Sequence, residues 1–298
     1  MSAAQPFLNL RKTFIISAGR TGTQFFGDLA SELVPGCFSI HEPDKVDWHT
    51  LSRDERWRRL RQQGVVRPYL LKALGTSGAR NHSLNYLEGR ISEKEAIERF
   101  IKDRKWIVGD RKLYVESNAQ LFGLGNLLAE LPNSHVLFFV RHPKTWVSSW
   151  LSKVWYSEKD ILTRIDRGGL RRLTPDNAGI ACPEWPDYSR AEKLAWTWLT
   201  MNRLFAELNA EGRKNVALFR YEDVFLERKD QELHRLLVAL SHGLVSGDEA
   251  GRLRQMLDQK INVRPRQSEN EEEGLENWLR ADLLSGVKDL METLGYSE

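Results

Sequence analysis

Apolar residues in this chain follow two rhythms. Short, nearly unbroken runs stand at residues 13–17 (Thr-Phe-Ile-Ile-Ser), 37–40 (Cys-Phe-Ser-Ile), 106–108 (Trp-Ile-Val), 113–115 (Leu-Tyr-Val), 136–140 (Val-Leu-Phe-Phe-Val) and 215–219 (Asn-Val-Ala-Leu-Phe). Runs this short, rich in β-branched and aromatic residues, predict buried strands. Elsewhere the apolar positions fall three or four apart. Phe25, Phe26, Leu29, Ala30 and Leu33 predict a helix after the first strand, ended by Pro35-Gly36. Leu121, Phe122, Leu124, Leu127, Leu128 and Leu131 predict another, with Asn118 as its cap. Pro143 suits the first position of a third, and residues 191–210 read as a Trp-containing helix. Strands alternating with helices predict an α/β fold with a mainly parallel central sheet flanked by helices. Ligands of such sheets bind beyond the C-terminal ends of the strands. Arg20, Glu42, Glu116 and Arg141 all fall at or just after strand ends, so topology groups them before chemistry does.

Residues 45–105 are rich in charge and helical by pattern, and read as an insertion outside the sheet. Residues 157–190, with Gly168-Gly169 and Cys182-Pro183-Glu184-Trp185-Pro186, read as a loop-rich second insertion. No Pro/Gly/Ser-rich linker or repeat divides the chain, so residues 1–298 are expected to form one domain. No apolar run approaches the roughly 18 residues of a membrane span, and the start lacks the pattern of a signal peptide. Cys37 and Cys182 are the only cysteines and give no disulfide framework. These features predict a soluble, cytoplasmic protein in a reducing compartment. A net charge of +3 is too small to call for a nucleic-acid partner. Arginines nevertheless crowd two segments, Arg53, Arg56, Arg58, Arg59, Arg61 and Arg67, then Arg164, Arg167, Arg171 and Arg172. They are either solvated helix faces or a field that draws in an anionic substrate.

The chemistry concentrates in two stretches. Gly19-Arg20-Thr21-Gly22-Thr23-Gln24 follows the first strand and opens the first helix. Backbone N–H groups at such a turn converge, and the helix dipole adds positive potential, which makes a socket for phosphate or sulfate. A nucleotide-triphosphate loop would place Lys after the second Gly and then Ser or Thr for magnesium. Here Gly22 is followed by Thr23 and Gln24, and the nearby cation is Arg20. Its planar fork of donors suits phosphate or sulfate oxygens, and no metal is expected. In the second stretch Arg141 ends the most apolar strand, and Ser149 follows it by eight residues on the next helix.

Together these stretches resemble sulfotransferases that use 3′-phosphoadenosine-5′-phosphosulfate (PAPS). Gly19 to Thr23 resembles the family's 5′-phosphosulfate loop, and the Arg141–Ser149 spacing resembles its 3′-phosphate site. The resemblance implies a three-layer, P-loop-like fold and transfer of a sulfuryl group from PAPS to a hydroxyl or amine, leaving adenosine 3′,5′-bisphosphate (PAP). It implies donor binding by Gly19, Arg20, Thr21, Gly22, Thr23, Gln24, Arg141 and Ser149, with Arg20 stabilising the leaving group. Arg20 stands where many members carry Lys, and an Arg at this place resembles the carbohydrate and protein-tyrosine branches. Glu42 lies 22 residues after Arg20 and is the candidate base, as in heparan- and tyrosine-type enzymes, with His41 as its alternate. Glu116-Ser117-Asn118 resembles the heparan-type Glu-Lys-Ser segment without its Lys, making Glu116 a second-base or substrate-side candidate and Lys112 a stand-in. Arg264 and Arg266, in the run from Asn262 to Ser268, fit the late basic loop that closes over the nucleotide. Tyr221-Glu222-Asp223 is familiar from the family too, and reads as structural capping. Trp146, Trp150, Trp196 and Trp198 read as core, and Trp48, Trp155 and Trp185 as acceptor-site candidates. The two insertions are expected to shape the pocket of a carbohydrate or small-molecule acceptor; a homodimer is left open. The competing readings are a P-loop kinase or nucleotidase, and a non-catalytic nucleotide-binding module on the same fold.

Overall fold

A computed structural model describes residues 5–44, 56–57, 60–61, 75–107, 111–152, 172–227, 229–245, 249–261 and 274–297. In chain order the elements are α1 (Gln5–Asn9), β1 (Arg11–Ser17), α2 (Gln24–Leu33), β2 (Cys37–His41), α3 (Ala79–Leu87), α4 (Glu93–Arg104), β3 (Leu113–Ser117), α5 (Gly125–Ala129), β4 (Ser134–Val140), α6 (Pro143–Leu151), α7 (Pro175–Ala178), α8 (Arg190–Ala210), β5 (Val216–Arg220), α9 (Asp230–Ser241), α10 (Glu249–Ile261) and α11 (Ala281–Thr293). The strands form one sheet in the order β2-β3-β1-β4-β5, every neighbouring pair parallel. All five strands therefore point their C-terminal ends to the same edge.

Because side chains alternate across a strand, each strand feeds two cores. Phe14 and Ile16 of β1 and Val136, Phe138 and Val140 of β4 face one side. There they meet Leu84 of α3, Phe100 of α4, Trp146 of α6, Trp198 of α8 and Val287 of α11. Ile15, Leu137 and Phe139 face the other side, with Phe26 of α2, Leu236 of α9 and Leu253 of α10. The sheet is thus the middle of three layers, as the alternation of strand and helix predicts. Among the described residues no helix is long and apolar enough to cross a membrane.

The strands β1 to β4 extend one or two residues beyond their apolar runs, and the structure corrects three further readings. Trp106 and Ile107 lie in a 3-10 turn, Lys105–Ile107, that continues α4 rather than in a strand. The Trp106 ring meets Phe38 edge-on at 6.2 Å, which buries it without any sheet pairing. The helix predicted after Asn118 is two pieces: Asn118 caps the 3-10 turn Ala119–Leu121, and α5 follows separately. Gly123 and Gly125 mark the break, and an added Cβ would stand 3.0 Å from the Ser83 carbonyl and 2.8 Å from the Phe138 ring respectively. The last strand runs one residue later than its apolar run. The described part of the 45–105 segment contributes α3 and α4 and no strand. The described part of 157–190 holds α7 and a 3-10 turn at Trp185–Asp187. Arg53, Arg58, Arg59, Arg67, Arg164, Arg167, Arg171, Trp48, Trp155, Arg264 and Arg266 lie outside the described residues.

At the opposite edge of the sheet two histidines stack. His135 of β4 and His242, which ends α9, lie 3.7 Å apart and nearly parallel. A ring nitrogen of each donates to a carbonyl: His135 Nδ1 to Ala239 at 2.7 Å and His242 Nε2 to Lys12 at 3.0 Å. Burial, with His135, Arg11 and Lys12 as cationic or protonatable neighbours, pushes His242 down to about 4. The unfolded chain takes up a proton there near the ordinary value of 6.5, and the folded chain only near 4. Stability carried by neutral His242 is therefore complete above pH 6.5 and is lost as pH falls toward 4. Thermal unfolding at pH 7.5 and pH 5 should show a smaller acid-induced drop in His242→Asn, since Asn tolerates the left-handed backbone that His242 adopts (φ 54°). Equal drops would remove His242 from the account.

Candidate active site

The loop after β1 turns on three residues with positive φ: Gly19 (82°), Arg20 (56°) and Gly22 (70°). Glycine reaches this region at no steric cost, whereas Arg20 does not and must be held there. Its neighbours hold it. Gly19 N–H donates to Ser17 Oγ at 3.1 Å, and Trp146 Nε1 donates to the Gly19 carbonyl at 2.7 Å. Arg141 Nη1 donates to the Arg20 carbonyl at 2.9 Å. Ser117 Oγ, from β3, donates to the Thr23 carbonyl at 2.6 Å, where α2 begins. Thr21 is buried, and its hydroxyl has no hydrogen-bond partner among the described residues. Thr23 is buried beside Ser17, while Gly22 and Gln24 stand exposed at the mouth of the loop.

Arg141 follows β4 directly. Its Nε donates to Thr145 Oγ1 at 3.0 Å, and its guanidinium lies 4.7 Å over the Tyr221 ring. Trp198 Nε1 donates to its carbonyl at 2.8 Å. His142 caps α6 and Pro143 opens it, so the helix starts as its sequence predicts. The helix brings Ser149 back over the first loop, where Ser149 Oγ accepts from Arg20 Nε at 3.0 Å. The two stretches singled out by sequence are thus joined directly: Arg20 reaches Ser149, and Arg141 reaches Arg20.

Glu42 lies just past β2, also left-handed at φ 42°. Its N–H donates to the Ser117 carbonyl at 2.9 Å, and it is 8% exposed. One carboxylate oxygen is 3.9 Å from His41 Nε2, so the two base candidates are neighbours. Gly27 of α2 sets their depth, a role the sequence pattern does not mark. A Cβ there would stand 2.7–2.8 Å from the backbone and Cβ of His41. Gly27→Ala is expected to cost about 1–3 kcal/mol by overpacking. Chemical denaturation would read this directly, and an unchanged midpoint would show that the contact yields freely.

Glu116 is placed differently from Glu42. It is fully buried within β3, and Arg104 Nε and Nη2 bond its two oxygens at 2.7 and 2.6 Å. Tyr114 Oη and Asn118 Nδ2 add bonds at 2.5 and 2.8 Å. Arg104 also forks onto Asp44 at 2.9 and 2.8 Å. Burial alone would raise the Asp44 carboxyl, but Arg104 beside it holds it well below the usual carboxylate range. Lys112 precedes β3 and packs its stem near Gly36, at the N-terminal edge of the sheet. Four residues along a strand, unlike one turn of a helix, carry it to the far edge from Glu116.

Trp146, Trp196 and Trp198 are core, and Trp150 is half-buried against Trp146. Trp185 is half-buried, packed edge-on against Trp196 at 5.0 Å. After β5, Glu222 accepts from His142 N–H and from Tyr296 Oη, and Asp223 accepts from Arg220 and Lys229. Those two residues do serve structure. Tyr221 instead meets Arg141, a placement the strand order explains, because β5 ends beside β4.

No family model matches the chain, and no curated protein matches it. Among solved structures it is similar to the sulfotransferase domain from the Synechococcus PCC 7002 olefin synthase. That likeness has a TM-score of 0.47 at 15% identity, over 97% of this chain and 96% of the other. It is also similar to the sulfotransferase domain from the curacin biosynthetic pathway (TM-score 0.45, 13% identity, 97% and 98% covered). A third is sulfotransferase STF1 from Mycobacterium tuberculosis H37Rv (0.47, 14%, 95% and 76%). These identities and TM-scores are low, so function must be read from this chain's own side chains.

Proposed function

We propose that the chain is a sulfotransferase that uses PAPS to sulfate a hydroxyl or amine of a carbohydrate or small-molecule acceptor. The observation that carries this reading is the link between the two anion-binding stretches, Arg20 Nε to Ser149 Oγ and Arg141 Nη1 to the Arg20 carbonyl. It gathers two guanidinium groups, one hydroxyl and a glycine-bracketed loop at one corner of the sheet. The chemistry of these donors fits a ligand with two separate phosphate-type groups, and the buried Thr21 hydroxyl offers one further donor.

PAPS supplies the sulfuryl group and is left as adenosine 3′,5′-bisphosphate. The loop from Gly19 to Gln24 holds the 5′ end, and Arg141 and Ser149 hold the 3′-phosphate. Arg20 stays protonated and donates hydrogen bonds where negative charge builds on the departing phosphate, usually the largest catalytic contribution. Glu42 takes the proton from the acceptor's O–H or N–H. Glu116, with both oxygens engaged by Arg104, serves as an anchor in this scheme.

Calorimetric titration with adenosine 3′,5′-bisphosphate, beside ATP with and without magnesium, tests the reading. Tight, metal-independent binding of the bisphosphate and weak binding of ATP are expected. Preference for magnesium-ATP would overturn the proposal in favour of a kinase or nucleotidase.

A further inference from the structure

We propose that Arg104 is a positioning residue for the turn that carries Glu42. It is 1% exposed, at the end of α4, and its guanidinium lies 5.0 Å over the Phe100 ring. Its partners, Glu116 and Asp44, lie 12 and 60 positions away in sequence. They flank a single hydrogen bond, from Glu42 N–H to the Ser117 carbonyl. Glu116 is the residue before Ser117, and Asp44 is the second residue after Glu42. Arg104 therefore grips both chain segments that this bond joins.

The helical pair α3–α4 is fastened to the same place. Ala79 N–H, at the start of α3, donates to Asp44 Oδ2 at 3.2 Å. Asp103, beside Arg104 on α4, accepts from Gly78 N–H at 3.0 Å and bonds His82 Nε2 at 2.9 Å, which ties α3 to α4. A non-glycine residue at φ 42° persists only where its surroundings over-determine it. The fork of Arg104 supplies that constraint from a helix outside the sheet. The turn is tied at Glu42 by its N–H on the Ser117 carbonyl and, two residues on, by the Asp44 carboxylate on Arg104.

Hydrogen exchange of the full chain tests the fastening. Asp44→Asn keeps the size of the side chain and an oxygen for Ala79, but removes the charge that Arg104 grips. Exchange of the Glu42 amide is expected to accelerate roughly tenfold or more, with amides of β1 and β4 unchanged. Arg104→Lys, which keeps the charge but loses the fork on both Asp44 and Glu116, should accelerate Glu42 exchange at least as much. Unchanged exchange at Glu42 would overturn the proposal. So would equal acceleration across β1 and β4, which would mark a general loss of stability. The significance of the turn for catalysis rests on the sulfotransferase reading, whereas the fastening does not. If the parent chain fails to bind adenosine 3′,5′-bisphosphate, that reading falls and the exchange result still decides the role of Arg104.

Discussion

Glu42→Gln is expected to bind adenosine 3′,5′-bisphosphate as the parent does while transferring sulfate roughly 10²–10⁴-fold more slowly, the range for losing a general base. The substitution keeps shape and hydrogen-bonding capacity and removes only basicity. Glu42 N–H remains on the Ser117 carbonyl, so the backbone has no reason to move. The loop Gly19–Gln24 follows β1, two places from β2 in the sheet. Labelled PAPS with an acceptor panel gives the rate, and calorimetry gives the affinity. A fully active variant would move the base to His41, whose Nε2 stands 3.9 Å from the Glu42 carboxylate. Glu116 is a poor replacement, since deprotonating an acceptor would require it to leave Arg104, Tyr114 and Asn118.

Arg141→Ala should weaken adenosine 3′,5′-bisphosphate binding by about 1.5–3 kcal/mol, the scale of a hydrogen bond to a charged group. Three contacts orient this guanidinium before any ligand arrives: Thr145 Oγ1, the Arg20 carbonyl and the Tyr221 ring. On that assignment, truncation removes the charge that holds the 3′-phosphate, and it also releases a clamp on the left-handed Arg20. Unchanged affinity would sink the assignment of Arg141 to the 3′-phosphate.

The sheet was legible where apolar runs were long. Residues 136–140 lie within the buried strand β4, and residues 13–17 within β1, which pairs with it and with β3. The three-residue run at Trp106 was ambiguous, because periodicity cannot separate a short strand from a buried turn. The stretch after Asn118 reads as one continuous helix because its leucines keep helical spacing. Its interruption depends on how closely Gly123 and Gly125 approach Ser83 and Phe138, which are distant in sequence.

The site divides in the same way. Gly19 to Gln24, Arg141 and Ser149 carry a local signal of spacing at a strand end. Arg104 carries none: among Glu93, Lys94, Glu95 and Lys102 it looks like one more solvated charge on α4. Its partners come from β3 and from the turn after β2, so only the fold reveals the cluster. Tyr221 likewise gains its role from strand order.

The placement of β1 at the centre of the sheet has a consequence for synthesis of the chain. Arg11 pairs with Leu113, and Lys12 pairs with Ser134. β1 and the loop Gly19–Gln24 are therefore translated long before either strand that flanks β1. Until β3 leaves the ribosome, Phe14, Ile15 and Ile16 have no strand on either side, and until β4 follows one side stays open. Parallel pairing over such separations is intrinsically slow and leaves apolar edges open to aggregation. A nascent chain stalled before residue 134 should depend on chaperones in a way the finished chain does not.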